Sequence, residues 1–272
     1  MILEFHAPSG ELAPYVQVMV YHEGYSPSHR IERFLPDGSV DLVIDLTDDD
    51  KYLFDNDSLA PTKACRASWV SGMRTGFISI SAGDGSSMMV VNFRAVGAGL
   101  FFHVPLHEIA DQVLDAESVL GSSVVALRER LRGLPTPADR FRAVEGWLLR
   151  RLRLAENGYH LAAAAARIIE TSPQMATIDS VARGAGVSCK HLVSVFREHA
   201  GVTPKQYQRI KRFQVVVARI EKSQTVDWAQ VALESGFYDQ AHLIREFRHY
   251  SGMTPTQYVE SRGQVLNYIP VA

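Results

Sequence analysis

Few residues of this chain stand at spacings that could do covalent or metal chemistry. His103 and His107 are four apart with Glu108 alongside, a spacing that could set two imidazoles on one helix face for a metal. Pro105 lies between them, however, and a helix there would begin only at the proline. His22 and His29 lack a third ligand, and Asp48, Asp49 and Asp50 read as a solvated turn rather than a calcium loop. Cys65, in KACRAS, has no activating or metal-binding neighbour, and with Cys189 it makes neither a disulfide framework nor a zinc set. Nucleophile-elbow, phosphate-loop, HExxH and CxxC spacings are absent from the sequence. A group-transfer enzyme built on Cys65 would need activating partners for that thiol. The sequence therefore argues against an enzyme and implies no cofactor and no metal. Trp69, Arg74, Phe93 and Arg94 could line an effector pocket in which the arginines hold an anion. Ordinary barrel packing and surface charge account better for any single one of them.

The chemistry that the sequence does spell is recognition, and it is spelled twice. Segment 188–207, SCKHLVSVFREHAGVTPKQY, and segment 239–258, DQAHLIREFRHYSGMTPTQY, are identical at 9 of 20 positions at an offset of 51. Upstream, Val181, Ala182 and Gly186 match Val231, Ala232 and Gly236 at an offset of 50, so the second copy has one more residue in its turn. In the first copy Thr177 or Asp179 opens a short helix, and Gly186 ends it because glycine takes φ > 0 freely. Val187 plugs the corner, and Ser188 caps a second helix whose Leu192 and Phe196 share a buried face. Gly201 stops that helix, and Thr203-Pro204 starts another, with threonine as cap and proline at the first position. In the second copy Asp227, Gly236, Phe237, Asp239, Leu243, Phe247, Gly252 and Thr254-Pro255 play the same parts.

Two short helices joined by a small-residue turn hold the second helix proud of the surface, where it can enter a major groove ~12 Å wide. A helical bundle with duplicated hairpins would use the same glycines and the same Leu/Phe pairs. The connecting helix, roughly from Pro204 to Lys222, tilts the balance toward DNA. At ~1.5 Å per residue it is a strut ~28 Å long, suited to two recognition helices one DNA turn, ~34 Å, apart. Charge segregates in the same sense. Residues 160–262 carry 13 Lys+Arg against 9 Asp+Glu, leaving 28 − 13 = 15 basic and 30 − 9 = 21 acidic residues elsewhere.

On these motifs, VARGAGVS…LVSVFREHAGVTPKQY and VALESGFYDQAHLIREFRHYSGMTPTQY, the stretch 177–258 resembles the AraC-type (AraC/XylS) family of bacterial transcription regulators. The resemblance implies double-stranded DNA as partner, read by two helices in successive major grooves. It also implies an N-terminal domain that senses a ligand or dimerises. Carried across position by position, it makes Cys189, Lys190, Val193 and Ser194 the groove-facing residues of the first recognition helix, and Gln240, Ala241, Ile244 and Arg245 those of the second. Glutamine can pair with adenine, arginine with guanine, and Val or Ile with a thymine methyl. Ser194 departs from the family, where arginine is common, and Cys189 is a weak reader, so the first motif should discriminate less. Ser188, Lys205, Tyr238 and Arg248 are the implied phosphate contacts.

Residues 1 to about 100 read as β-rich. MILEFHAP, YVQVMVYHE, SVDLVIDL, FISIS and SMMVVNFR are bounded by PSG, PDGS, TDDD and AGDGS, which suggests a barrel or sandwich. Helical patterning follows in PLHEIADQVLD, SSVVALRERLRGL and ADRFRAVEGWLLRRLRL, the last able to pack on the barrel or on a second subunit. RFLPDGSVDLVIDL and VVNFRAVGAGLFFHVPLHEIADQV resemble the sensor domain of a subset of the family, implying a cupin-like barrel and an unidentified small-molecule effector. The expected fold is thus α+β: a β-rich sensing or dimerising domain with helices over 1–157, the linker AENGYH, and an all-α domain over 158–262 with no strand after Leu161. The tail 263–272 is an extended cover or disordered. RNA polymerase and a second copy of the chain are further candidate partners. No apolar run reaches the ~18 residues of a membrane span, no secretory leader is visible, and the compartment expected is the cytoplasm.

Overall fold

The computed structural model describes residues 1–102, 104–155, 157–221, 226–261 and 267–271. The strands are β1 (Ile2–His6), β2 (Val16–Tyr25), β3 (Ile31–Phe34), β4 (Val40–Asp45), β5 (Lys51–Phe54), β6 (Pro61–Cys65), β7 (Ser68–Ser71), β8 (Ile78–Ser81) and β9 (Ser86–Phe93). Then come α1 (Leu106–Ile109), β10 (Val113–Asp115), α2 (Ala116–Leu120), α3 (Ser123–Arg132) and α4 (Pro137–Arg151). The helices α5 (Asn157–Thr171), α6 (Ile178–Gly184), α7 (Cys189–Ala200), α8 (Pro204–Ile220), α9 (Trp228–Glu234), α10 (Gln240–Ser251) and α11 (Pro255–Ser261) follow, and β11 (Tyr268–Pro270) closes the described chain. The fold is α+β, as expected from the sequence. Two antiparallel sheets, ordered β1-β2-β9-β4-β7-β10 and β11-β3-β8-β5-β6, make up the N-terminal part, with helices after them.

The six-stranded sheet is the middle layer. Successive side chains of a strand point to opposite faces, and here both faces are used. Val40, Leu42 and Ile44 of β4, with Met19, Met89, Val91 and Val70 of its neighbours, are buried in the main core. Val124 and Leu127 of α3 and Phe141, Val144, Trp147 and Leu148 of α4 belong to that same core. The opposite face, through Val43, Trp69 and Met88, meets Phe34, Leu53, Ile78 and Ile80 of the second sheet in a smaller cluster. The apolar stripe of α4 is therefore satisfied within the chain, which decides between the two packings open to it.

Two expectations are corrected. The run QVLD does not continue a helix: Ala110 and Asp111 break it, and Val113–Asp115 pairs antiparallel with Ser71, Val70 and Trp69 of β7. Short apolar runs fit either period, and the free edge of β7 chooses the strand. Nor is everything after Leu161 helical. β11 pairs with β3, Tyr268 opposite Phe34 and Pro270 opposite Glu32. Lys222, Arg262 and His103 lie outside the described residues.

The buried side chains on one face of the six-stranded sheet, of α1–α4, of α5–α11 and Ile269 of β11 form one continuous cluster. Within it Phe247 (1% exposed) packs edge-on against Phe213 and Tyr258, with ring centroids 5.1 and 5.4 Å away. Phe247→Ala should cost roughly 3–5 kcal/mol of folding free energy, read as a lower urea midpoint, and should abolish DNA binding through unfolding rather than through lost readout.

Candidate nucleic-acid interface

Each copy of the repeat folds as helix, turn, helix, and its caps are filled locally. Thr177 opens α6 with a reciprocal capping box, its Oγ1 accepting from the Ser180 N–H and the Ser180 Oγ accepting from the Thr177 N–H. Gly186 turns at φ +67°, and the half-buried Val187 donates its N–H to Ala182 O at 3.0 Å. Ser188 Oγ accepts from His191 N–H at 3.2 Å to start α7. In the second copy Asp227 Oδ1 accepts from Ala229 and Gln230, Gly236 turns at φ +75°, and Phe237 (5% exposed) fills the corner. Asp239 Oδ1 then caps α10 at His242 N–H, 2.7 Å away. Filled caps satisfy first-turn N–H groups and fix where each recognition helix begins.

The outward face of α7 presents Lys190 and Ser194 exposed, with Cys189 and Val193 half-buried. That of α10 presents Gln240, Ala241 and Arg245 exposed, with Ile244 half-buried. Leu192, Phe196, Leu243 and Phe247 point inward and are buried. The Cys189 Sγ donates to Asp179 Oδ1 at 2.9 Å, and this bond, with some burial, pushes the thiol's pKa up. A thiol so tied is poorly placed to read a base. Among the sequence-derived phosphate positions, Tyr238 is 91% exposed, and Ser188 and Arg248 are exposed. Lys205 Nζ donates to Gln208 Oε1 at 3.0 Å, and burial together with Arg212 and Arg209 pushes its pKa down.

Sequence reasoning missed the ties that join the two motifs. Arg209 of α8 makes a two-pronged ion pair with Glu246 of α10, at 2.8 and 2.6 Å. One turn on, the Arg212 guanidinium lies 4.4 Å over the Phe237 ring and donates to Gly236 O, gripping the turn of the second motif. The i, i+3 spacing of Arg209 and Arg212 was legible as a shared face; what that face touches was not. Glycines do a second task at the C-terminal ends of the recognition helices. Gly201 (φ +87°) ends α7 where a Cβ would stand 2.8 Å from Leu106 O of the N-terminal domain. Gly252 (φ +74°) ends α10 where one would stand 2.6 Å from the Phe77 ring. Both recognition helices thus rest their C-terminal ends on the N-terminal domain and turn their N-terminal ends outward.

Residues 181–261 match the model of a helix-turn-helix domain. This part of the chain is an AraC-type helix-turn-helix domain. An uncharacterized HTH-type transcriptional regulator of Haemophilus influenzae is 30% identical over 84 residues. That alignment covers 31% of this chain and 28% of that protein, so the chain spans less than a third of its relative's length. ToxT of Vibrio cholerae aligns over 89% of this chain and 98% of its own with a TM-score of 0.49 at 10% identity. An AraC-type transcriptional regulator from Chromobacterium violaceum aligns over 39% of this chain and 94% of its own, with a TM-score of 0.36 at 22% identity. Residues 4–115, ahead of the AraC-type domain, match a domain of unknown function (DUF6597).

In that N-terminal part the four residues offered for an effector pocket do not come together. Phe93 is fully buried in the main core against Phe101 and Phe102, whereas Trp69 stands on the opposite face of the same sheet, between the sheets. Their pairings explain this: Phe93 is opposite Val40 and Trp69 opposite Val43, an odd offset along β4. Arg94 is exposed and donates to Ala13 O at 3.0 Å, and burial pushes the Arg74 pKa down. His29 is bonded to Glu32 at 2.7 Å, and among the described residues no cluster of His, Cys, Asp and Glu could hold a metal. Among those residues no helix is long and apolar enough to cross a membrane.

The face of the six-stranded sheet turned toward the second sheet is less fully buried than the face turned toward the helices. Val18, Val20, Val43, Met88 and Val90 lie on it and stay half-buried, while Met19, Leu42, Ile44, Met89 and Val91 on the other face are fully buried. Asp41 also lies on it. Asn92 donates to its carboxyl at 2.8 Å and Ser39 at 3.4 Å, and burial, then Asp37, push its pKa up to about 7. The folded state therefore favours protonated Asp41. Its contribution is complete below the ordinary carboxylate value near ~4 and is lost as pH rises through about 7. Asp41→Asn should accordingly gain more urea resistance at about pH 8 than at about pH 4.5. Equal changes at both would show that Asp41 is ionised in the fold.

Proposed function

We propose that the protein is a sequence-specific DNA-binding transcription regulator in which α7 and α10 read two successive major grooves. Its binding would be controlled by a small-molecule effector acting through residues 1–157. The observation that carries this reading is the repeated geometry: two capped helices, each with its N-terminal face exposed, held on one connecting helix. With 17 residues, α8 is ~26 Å long, of the order of the ~34 Å turn that separates successive grooves on one face.

Gln240 and Arg245 have the chemistry for adenine and guanine, and Lys190 is the corresponding donor of the first motif. Ala241, Val193 and Ile244 offer apolar contact to thymine methyls. Ser194 is short and Cys189 is tied to Asp179, so most discrimination falls to the second motif. Ser188, Lys205, Tyr238 and Arg248 would position the backbone. An effector is best placed against the sheet face that carries Asp41 and Asn92, where the apolar side chains are only half-buried. RNA polymerase and a second copy of the chain are the further partners that go with this reading, and the cytoplasm is its compartment.

Selection of random DNA by the full-length protein at fixed salt should enrich a motif of two half-sites about one turn apart. No enrichment, by the whole chain or by residues 158–272, would reject the reading. On the selected site, Arg245→Ala should weaken binding by ~1–3 kcal/mol and relax preference at one base pair. Equal losses on every sequence would remove Arg245 from the base-reading set.

A further inference from the structure

The strand β11 is a strap. It leaves the AraC-type domain after α11 and becomes the edge of the N-terminal domain's second sheet, beside β3. Backbone bonds fasten both its ends: Leu35 N–H donates to Asn267 O at 3.0 Å, and Val271 N–H to Ile31 O at 2.9 Å. Alternate side chains are gripped by different bodies. Tyr268 points between the sheets and packs on Phe34, with centroids 4.1 Å apart, while Ile269 is fully buried in the main core that holds the helices.

The strap also reaches the connecting helix. Gln214 Nε2 of α8 donates to Asn267 Oδ1 at 2.9 Å and to Pro36 O at 2.7 Å, and Lys211 Nζ donates to Asp37 O at 2.8 Å. The chain at Gly38 lies against Tyr207 and Lys211 so closely that a Cβ there would stand 2.8 Å from the Tyr207 ring. Strap, β3–β4 loop and α8 therefore meet at one junction. On either side of it, Gly201 and Gly252 seat the ends of α7 and α10 on the N-terminal domain.

We infer that the strap, with Gln214 and Lys211, determines which half-site spacing the protein accepts, by fixing the connecting helix and the second motif against a rigid sheet. This rests on the two-groove reading above. Two recognition helices on a fixed frame bind both half-sites only where DNA presents them at the matching distance and rotation. A mismatch forfeits the gain of joining two binding events. Each added base pair turns the second half-site by about 35°, at ~10.5 pairs per turn. With the strap free, α8 loses the Gln214 bond to Asn267 and the β3–β4 loop that holds Gln214 and Lys211 loses the strand beside it, so the second motif can follow the displaced half-site.

The test uses the full chain and three DNAs: the selected site, the same site with one pair added between half-sites, and a single half-site. Ile269→Asp places a charge in the main core and expels the strap. The unsubstituted protein is expected to prefer the native spacing by about tenfold or more. Ile269→Asp should reduce that preference to about threefold or less while leaving half-site affinity unchanged. Gln214→Ala should move in the same direction.

A second variant guards against a folding defect in the first. Tyr268 and Phe34 are directly opposite and lie between, not on, the hydrogen-bonded pairs, the closer of the two antiparallel pairings. Tyr268→Cys with Phe34→Cys, in a chain carrying Cys65→Ala and Cys189→Ala, should therefore form a disulfide. Oxidised, this protein should keep the full spacing preference; reduced, with the Tyr268 packing gone, it should lose part of it. Unchanged preference in Ile269→Asp and in both redox states of the locked variant overturns the inference. Failure of the unsubstituted protein to bind any selected DNA overturns the two-groove reading instead.

Discussion

Burial of one face of the connecting helix is the constraint on which the rest of the molecule depends. Tyr207, Ile210, Phe213, Val216, Val217 and Ile220 of α8 are almost wholly removed from solvent. At ~1.5–3 kcal/mol for each large apolar side chain buried, this face holds the helix in the core. Phe196 of α7 packs against Tyr207 in the first turn of α8, and Phe247 and Tyr250 of α10 against Phe213 midway along it. Both recognition helices are in this way placed by aromatic contacts to a single rod. Their outward faces are left over as the surfaces that the core does not need.

The polar face of the same rod supplies direction. Apolar contact alone allows a helix to slide or rotate; bonds at fixed points do not. Arg209 and Arg212 grip α10 and the turn before it, Gln208 holds the chain between α5 and α6 through Pro173 O, and Gln214 and Lys211 hold the sheet loop. Buried or half-buried donors left without such partners would carry a desolvation cost of ~1–3 kcal/mol each, so alternative rotations of α8 are disfavoured at several positions together.

The N-terminal domain divides its two sheet faces between two tasks. One face is closed tightly by α3 and α4 and continues into the core of the helical domain. The other is filled less completely and keeps polar groups, Asp41 and Asn92 among them, within its interior. A change between the sheets would be felt at the strap and at the loop beside Asp37, because Tyr268 lies in the first place and α8 is bonded to the second. The route is short and consists of packed side chains and direct hydrogen bonds.

What the sequence determined by itself was everything set by local spacing. The turn glycines, the Ser, Thr and Asp caps, the Leu/Phe pairs four apart and the duplicated threonine-proline starts are local devices, and each is where the repeat put it. The strands with clear alternation, such as SVDLVIDL and SMMVVNFR, were legible for the same reason. The tertiary structure decided what short segments with ambiguous periods become. QVLD is a strand because β7 has a free edge, and Tyr268–Pro270 is a strand because β3 has one; neither edge is visible along the chain. It also decided which face a residue occupies. Phe93 and Trp69 looked like neighbours in a pocket, but their registers on β4 set them on opposite sides of one sheet. The partners of Arg209, Arg212 and Gln214 were hidden likewise. Hydrogen bonds between residues tens of positions apart follow from how the helices are packed, and packing follows from the summed burial of many side chains rather than from any one spacing.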